Sequence, residues 1–307
     1  MMLGDDARRW VGDVLEARVV AAEPLTGGVA SRMLLLRVED SREAVLRQLV
    51  DEPWRRHAEP LLHRERDVHD LLAAAPVPVP RTLAVDVRGE RTGGDPSLLM
   101  SRLDGSIDLA TTDVDALAAV LLAIHAVRPS AGQWPRTYES WAFESKQTVP
   151  PWSRDDRLYE EAFARLAEPA PTYESCFLHR DYHPGNVLWK DGQVSGVVDW
   201  VETSTGPADL DVAHCASNLA GLHGVDTALA FRASYVDQGG VLAEDGDVAT
   251  YWQLLDLVGF LPGPSGRESA ADASVLSALW GANGRSDLTP ELARRRREDL
   301  LRVVLRG

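Results

Sequence analysis

The sequence predicts an α+β chain in two parts: a small β-rich part with one helix over residues 1–100, and a larger, mainly helical part over residues 101–307. Three observations carry this. β-Prone runs bounded by Gly, Pro and Asp clusters crowd the first hundred residues, whereas apolar residues at helical spacing dominate from Asp113 onward. The charge steps at the same place, with 14 basic and 17 acidic residues up to position 100 and 18 basic and 30 acidic beyond it.

Taken in order, Arg18 to Leu25 and Arg32 to Val38 read as strands around a small-residue turn, Thr26-Gly27-Gly28-Val29-Ala30-Ser31. A tip this poor in side chains can bring backbone N–H groups close to phosphate oxygens. Glu43 to Leu49 is a third strand. Pro60 to Ala75 places Leu61, Leu62, Val68, Leu71 and Leu72 on one helical face, and the Pro-Val-Pro run from Pro76 ends that helix. Thr82 to Val87 and Ser97 to Gly105 complete the strand-rich part. Asp113 to Val127 is a strongly apolar helix capped by Thr112 or Asp113, and its lone His125 reads as a satisfied core residue. Residues 130–152 are irregular and rich in Trp, Pro and Ser; Arg157 to Ala167 is a short helix. Further helices are expected from Gly206 to Asn218 and over 225–238, 247–260, 269–281 and 288–305, with Arg294 to Arg297 as a solvated face.

The chemistry concentrates in Phe177 to Trp200, FLHRDYHPGNVLWKDGQVSGVVDW. Val187 to Trp189 and Val194 to Val198 flank Asp191-Gly192, a strong two-residue hairpin signal. With that register, Asn186 and Asp199 fall on one face at a diagonal spacing of roughly 7–8 Å. Pro184-Gly185 turns the chain so that Asp181 reaches the same open end. Two carboxylates and an amide oxygen suit phosphoryl transfer. Mg²⁺ takes one or two carboxylates together with phosphate oxygens and water, a set that Asn186 and Asp199 fit. Asp181 is left to orient a substrate hydroxyl and accept its proton.

His179-Arg180-Asp181, four residues and then Asn186 follow the H-R-D-x-x-x-x-N pattern of a kinase catalytic loop. The wording D-Y-H-P-G-N followed by V-V-D-W resembles the aminoglycoside phosphotransferase and choline kinase-like family. It departs from protein kinases at His183 and at Trp200-Val201. The resemblance implies a bilobal, protein kinase-like fold: an antiparallel sheet with one helix as the nucleotide-binding lobe, 1–100, and a helical lobe, 101–307, carrying the catalytic loop, metal site and acceptor site. It further implies that Gly27, Gly28 and Ser31 cover the nucleotide and that Met100, Ser101 and Leu103 form the hinge at the base. His179, His183 and Asp211 would support the catalytic loop, with Glu65 carrying the helix carboxylate that pairs with the phosphate-binding cation. That cation is Lys in the family, and this chain has Arg47. Arg is always charged and offers a planar donor fork, so phosphate binding by a different geometry and weakened nucleotide chemistry both stay open. Glu202, Trp252, Asp256 and Trp280 are the candidate acceptor contacts.

Composition bounds the rest. Two cysteines, Cys176 and Cys215, are too few for a disulfide framework. The start of the chain lacks a signal-peptide core, and no apolar run is long enough to span a membrane, so a cytosolic protein is expected. A net charge of −15 opposes nucleic-acid binding. Neither of the two lysines, Lys146 and Lys190, follows Gly, which excludes a P-loop, and G-x-G-x-x-G does not occur. The expected activity is ATP- or GTP-dependent, Mg²⁺-assisted phosphorylation of a small-molecule hydroxyl. An aminoglycoside or other antibiotic would suit the acidic second half. A sugar, an amino alcohol or homoserine fits the motifs equally, and a non-catalytic nucleotide sensor is the alternative that Arg47 motivates.

Overall fold

Alternating apolar residues in the first hundred positions build an antiparallel sheet with a buried layer on each face. The strands are β1 (Val19–Pro24), β2 (Arg32–Val38), β3 (Glu43–Gln48), β4 (Thr82–Asp86) and β5 (Ser97–Ser101), in the spatial order β1-β2-β3-β5-β4. In this computed structural model the described residues are 3–25, 31–244, 246–263 and 273–306. They form two units. The first comprises Met1–Ser106 with Leu188–Asp191 and Ser195–Glu202, and the second holds the remainder.

In the first unit, β3 is central and its side chains alternate between faces. Ala44 and Leu46 pack with Leu34, Leu36 and Leu99 against Ala7, Trp10 and Val11 of helix α1 (Asp5–Leu15). Val45 packs with Leu98 and Met100 on the other face, against Ala58, Leu61 and Leu62 of helix α2 (Ala58–Leu72). Arg47, two residues on from Val45, therefore shares the α2 face. Each fully buried Leu of these layers contributes about 1.5–3 kcal/mol. Helix α1 was not expected from the sequence, although Ala7, Trp10, Val11 and Val14 stand at helical spacing and Asp5 and Asp6 suit its N-terminus.

The hairpin forms as the turn residues dictate. Strand β6 (Ser106–Ile107) joins β8 (Val187–Lys190) and β9 (Gln193–Val197) in the order β6-β8-β9. Asp191 and Gly192 both take positive φ, 52° and 77°, which the favoured two-residue hairpin turn requires. Asn186 and Asp199 lie outside the ladder. Asn186 closes a single 3-10 turn, Pro184–Asn186, and Asp199 follows β9 with φ 66°, so strand alternation does not govern where either points.

The second unit is built on helix α5 (Ala208–His223), apolar on nearly every side and accordingly buried along most of its length. Around it stand α3 (Val114–His125), α4 (Asp156–Leu166), α6 (Val225–Asp237), α7 (Asp247–Gly259), α8 (Ala273–Ala282) and α9 (Pro290–Arg306), of which α6, α7 and α9 pack directly on α5. Residues 269–272 of the helix expected over 269–281 lie outside the described residues. Two short strands, β7 (Cys176–Leu178) and β10 (Ser204–Gly206), pair antiparallel beside α5. Asp113 caps α3 by accepting from the Ala116 amide at 3.0 Å.

The Arg294 to Arg297 run is not a solvated face. Arg294 lies over the Trp152 ring and Arg297 over the Phe260 ring, while Arg296 and Arg297 donate to carbonyls in the last turns of α5. Guanidinium groups there answer the carbonyls that a helix end leaves unpaired. Among the described residues, no helix is long and apolar enough to cross a membrane.

Candidate active site

The first unit assembles an ion triad around Arg47. Strand β3 aims this side chain at α2, where it is 6% exposed. Its Nη1 donates to Glu65 Oε2 at 3.1 Å and to Asp199 Oδ1 at 2.9 Å. Burial pushes the Glu65 carboxyl up to about 7, with Arg47 opposing that rise. Burial also pushes His69 down to about 3, aided by Arg47, so the nearby imidazole adds no second positive charge; it bonds the Thr82 hydroxyl at 3.0 Å. The sequence-predicted pairing of Arg47 with Glu65 is present, and the contact with Asp199 is additional.

The other residues expected at the nucleotide are placed as follows. Gly27 and Gly28 lie outside the described residues, and Ser31 is half-buried at a bend just before β2. Met100 is buried in the α2-facing layer. Ser101 ends β5, where its N–H donates to the Arg81 carbonyl and its hydroxyl accepts the Arg81 N–H, both at 2.8 Å. Leu103 packs over Gly196 of β9. Glu202 closes a 3-10 turn, Trp200–Glu202, and is half-buried.

The second unit carries the catalytic-loop motif immediately after β7. Asp211, in the first turn of α5, accepts from the His179 and Arg180 backbone N–H groups at 2.8 and 2.7 Å. His125 donates to the same carboxylate through Nε2 at 3.2 Å and takes the Tyr235 hydroxyl at Nδ1 at 2.7 Å. Burial works against ionisation of Asp211, yet His125 and the neighbouring charges hold its carboxyl below the usual range. The brace matters because Arg180 sits at φ 71°, a conformation that costs a non-glycine residue about 1–3 kcal/mol and persists only where its surroundings enforce it. The Arg180 guanidinium completes the clamp, lying 3.8 Å over the Trp141 ring.

Asp181 emerges from this turn with 27% of its side chain exposed. The Asn186 amide nitrogen donates to the Asp181 carbonyl at 2.9 Å and to its Oδ2 at 3.2 Å. His183 caps the Pro184–Asn186 turn by accepting the Gly185 N–H at Nδ1, 3.0 Å away. The opposite oxygen of Asp181, Oδ1, meets His214 Nε2 at 3.0 Å, and His214 Nδ1 meets Asp256 Oδ1 at 2.9 Å. Burial opposes the charge on Asp181, but hydrogen bonding from His214 and the nearby His183 hold its carboxyl well below the usual carboxylate range. His214 itself, pulled down by burial, is carried up to about 9 by Asp256 and Asp181.

His214 was given no role from the sequence. Its spacing from Asp211, three residues along one helix, puts both on neighbouring parts of one face, and that signal was readable. Asp256 is fully buried behind His214, so it cannot form a wall against an acceptor. Trp252 is also buried and packs edge-on to Tyr138, Tyr173 and Tyr251. Trp280 lies in a core cluster with Leu109, Leu222 and Leu288. A cavity of about 670 Å³ elsewhere in the second unit is lined by Arg128, Cys176, Asp209, Tyr235 and Trp252, among others; Asp181 and Asn186 are not among its walls.

Asp181, His183 and His214 stand close enough to share an ion, with candidate ligand atoms all within 4.8 Å. Their bonding argues against it. A neutral His183 that accepts at Nδ1 carries its proton on Nε2, and His214 has a carboxylate at each nitrogen, so neither ring offers a free lone pair.

The model of the phosphotransferase enzyme family matches residues 21–251. Among solved structures, one similar to this chain is a thermostable mutant of aminoglycoside phosphotransferase APH(4)-Ia in a ternary complex with ADP and hygromycin B. The two are 19% identical with a TM-score of 0.63, over 98% of this chain and 99% of that one. The macrolide 2′-phosphotransferase MphH from Brachybacterium faecium is 18% identical with a TM-score of 0.57, over 90% of this chain and 97% of that one. An aminoglycoside-3′-phosphotransferase of type VIII is 22% identical with a TM-score of 0.57, over 83% and 98%. At these identities the likeness is one of fold.

Proposed function

We propose, from the premise that this chain belongs to the phosphotransferase enzyme family, that it moves the γ-phosphoryl group of ATP or GTP onto a hydroxyl of a small molecule. The observation that carries this reading is the state of Asp181. It is part-exposed on a braced turn, ionised, and held at both carboxylate oxygens. A carboxylate so stabilised is a weak base suited to orienting a hydroxyl. Phosphoryl transfer asks little more, because its loose transition state lets the proton leave late.

The roles follow residue by residue. Asp181 orients the acceptor hydroxyl and takes its proton. Arg47, held by Glu65 and Asp199, supplies positive charge to the nucleotide phosphates. Asn186 and Asp199 are the residues proposed for Mg²⁺. The Asn186 amide nitrogen is spent on Asp181, which leaves its oxygen as the free donor, and Asp199 adds a part-exposed carboxylate. Such hard oxygen donors fit this ion. When bound, Mg²⁺ would neutralise phosphate charge as it develops.

For the acceptor, an aminoglycoside or another antibiotic is the class that agrees with the acidic residues 101–307 and with what the three similar structures are named for. Purified protein with Mg-ATP or Mg-GTP should release nucleoside diphosphate in the presence of at least one member of a panel of aminoglycosides, macrolides and hydroxylated metabolites, with a phosphate ester visible by ³¹P NMR. A product on a sugar, amino alcohol or homoserine would make it a metabolite kinase. The engagement of Arg47 by two carboxylates favours one further reading, a nucleotide sensor. Nucleotide binding without ester formation on any panel member would select it.

A further inference from the structure

The environment of His214 is more specific than packing requires. Both ring nitrogens face carboxylate oxygens, Asp181 at 3.0 Å and Asp256 at 2.9 Å, while the Asn218 amide nitrogen, 3.3 Å from Nε2, donates to the His214 carbonyl at 2.9 Å. Two aromatic rings pack against the imidazole. Phe260 stacks at 5.4 Å and 7°, and Trp141 meets the ring edge-on at 5.3 Å. Exposure falls along the line from 27% at Asp181 to 5% at His214 and 0% at Asp256, so the row runs from an accessible carboxylate to a sealed one.

A neutral imidazole has one N–H and one lone pair, and a lone pair aimed at a carboxylate is repelled. Two carboxylate partners are satisfied together only when both nitrogens donate. The charged groups around the ring agree with that state. Asp181 and His183 face it from the catalytic loop and Asp256 from α7, while Arg297 lies over the Phe260 ring, Arg180 over the Trp141 ring, and Lys146 near enough to Asp256 to feel its charge.

We propose that His214, anchored by Asp256, is the positioning residue for Asp181: it ties down Oδ1 so that Oδ2 is presented to the acceptor hydroxyl. The proposal rests on the phosphotransferase reading above. In the step it serves, the acceptor oxygen bonds to the γ-phosphorus and the bridging P–O bond breaks, its electron pair leaving with the nucleoside diphosphate. The hydroxyl proton passes to Oδ2, which meets the Asn186 amide at 3.2 Å and keeps a second lone pair. The logic reverses that of a serine-protease triad. There an aspartate orients a histidine that acts as the base, whereas here a histidine, itself held by an aspartate, orients the carboxylate that does.

The test compares His214→Gln, His214→Phe and Asp256→Asn with the wild type on an acceptor found in the panel. Misplacing a reacting group by about 1 Å can cost about a hundredfold, so His214→Phe should lose about that much in kcat while the nucleotide dissociation constant stays within about twofold. His214→Gln, which can still donate to Asp181, should recover part of the loss. Asp256→Asn preserves shape and guards against a folding defect, and it should lower kcat about tenfold at unchanged nucleotide affinity. Folded variants that keep kcat within about threefold of wild type overturn the proposal. Separately, ¹⁵N NMR of the His214 ring at neutral pH should show both nitrogens protonated, and a single protonated nitrogen overturns the bridge whatever the reaction. If the wild type phosphorylates no acceptor, the phosphotransferase reading falls and takes the catalytic role of His214 with it, while the ring signal still decides whether the bridge exists.

Discussion

The two units each hold a cation between two carboxylates, and in each the pair is unequal. Arg47 joins Glu65, 1% exposed, to Asp199, 32% exposed. His214 joins Asp256, sealed from solvent, to Asp181, 27% exposed. In both centres the buried acid fixes the cation and the part-exposed acid is the one with a proposed chemical task. The cations differ in kind. Guanidinium never loses its proton in a protein, so the cation of the first centre keeps its charge and titration there falls to Glu65, held up to about 7, whereas imidazolium can be neutralised, so in the second centre the cation itself is adjustable by pH.

That contrast can be broken in four places. The largest effect belongs to Asp181. Asp181→Asn should lower the rate of phosphate-ester formation by about 10²–10⁴-fold while nucleotide titrations stay unchanged, and full turnover in this variant would remove Asp181 from the mechanism. Next comes Arg47. Truncating one partner of a buried ion pair typically costs about 3–5 kcal/mol, so Arg47→Ala should lower the denaturant midpoint substantially and Arg47→Lys by less. An Arg47→Ala protein as stable as wild type would show that Glu65 and Asp199 do not depend on it.

The third prediction concerns pH. The His214 imidazole is held up to about 9, above its ordinary 6.5. Its contribution to stability is therefore complete below pH 6.5 and disappears as pH rises through about 9. Thermal melts should fall across that window in wild type, and the fall should be smaller in His214→Gln. Equal slopes would mean the ring is not the titrating group. The smallest effect is expected at the exposed pair between Lys190 and Asp104, 2.6 Å apart on the hairpin side of the first unit. Lys190→Ala should leave both the melting temperature and the nucleotide affinity unchanged, because exposed pairs of this kind are screened by solvent and salt.

Legibility in the sequence tracked how local the cause was. The Asp191-Gly192 turn, the capped helix at Asp113 and the spacing from Asp181 to Asn186 were readable because a few adjacent residues determine them. Arg47 with Glu65 was readable through family resemblance, since 18 positions separate a strand from the helix that packs on it. Arg47 with Asp199, 152 positions apart, follows from no local rule. Helix α1 is less legible for another reason: its apolar stripe, Ala7-Trp10-Val11-Val14, is four residues long and set among charged neighbours. Asp256 shows the common error with charged residues. Expected as a candidate acceptor contact, it is buried beside a cationic ring 42 positions away that neutralises it. The Arg294 to Arg297 run misled in the same direction, as its aliphatic stems and planar heads lie on Trp152, Phe260 and the end of α5.

Helix α5 carries Asp211, which pins the backbone of the turn at Arg180, and three residues later His214, which meets the Asp181 side chain issuing from it. Successive residues of a helix turn by about 100° and advance 1.5 Å, so the two contacts hold a fixed phase. A residue inserted or deleted between them would swing one contact away from the other by more than a quarter of a turn, whatever its chemistry. Val212 and Ala213 therefore form a stretch that can change in composition more readily than in length: it acts as a spacer, and the accuracy with which Asp181 is placed depends on its count.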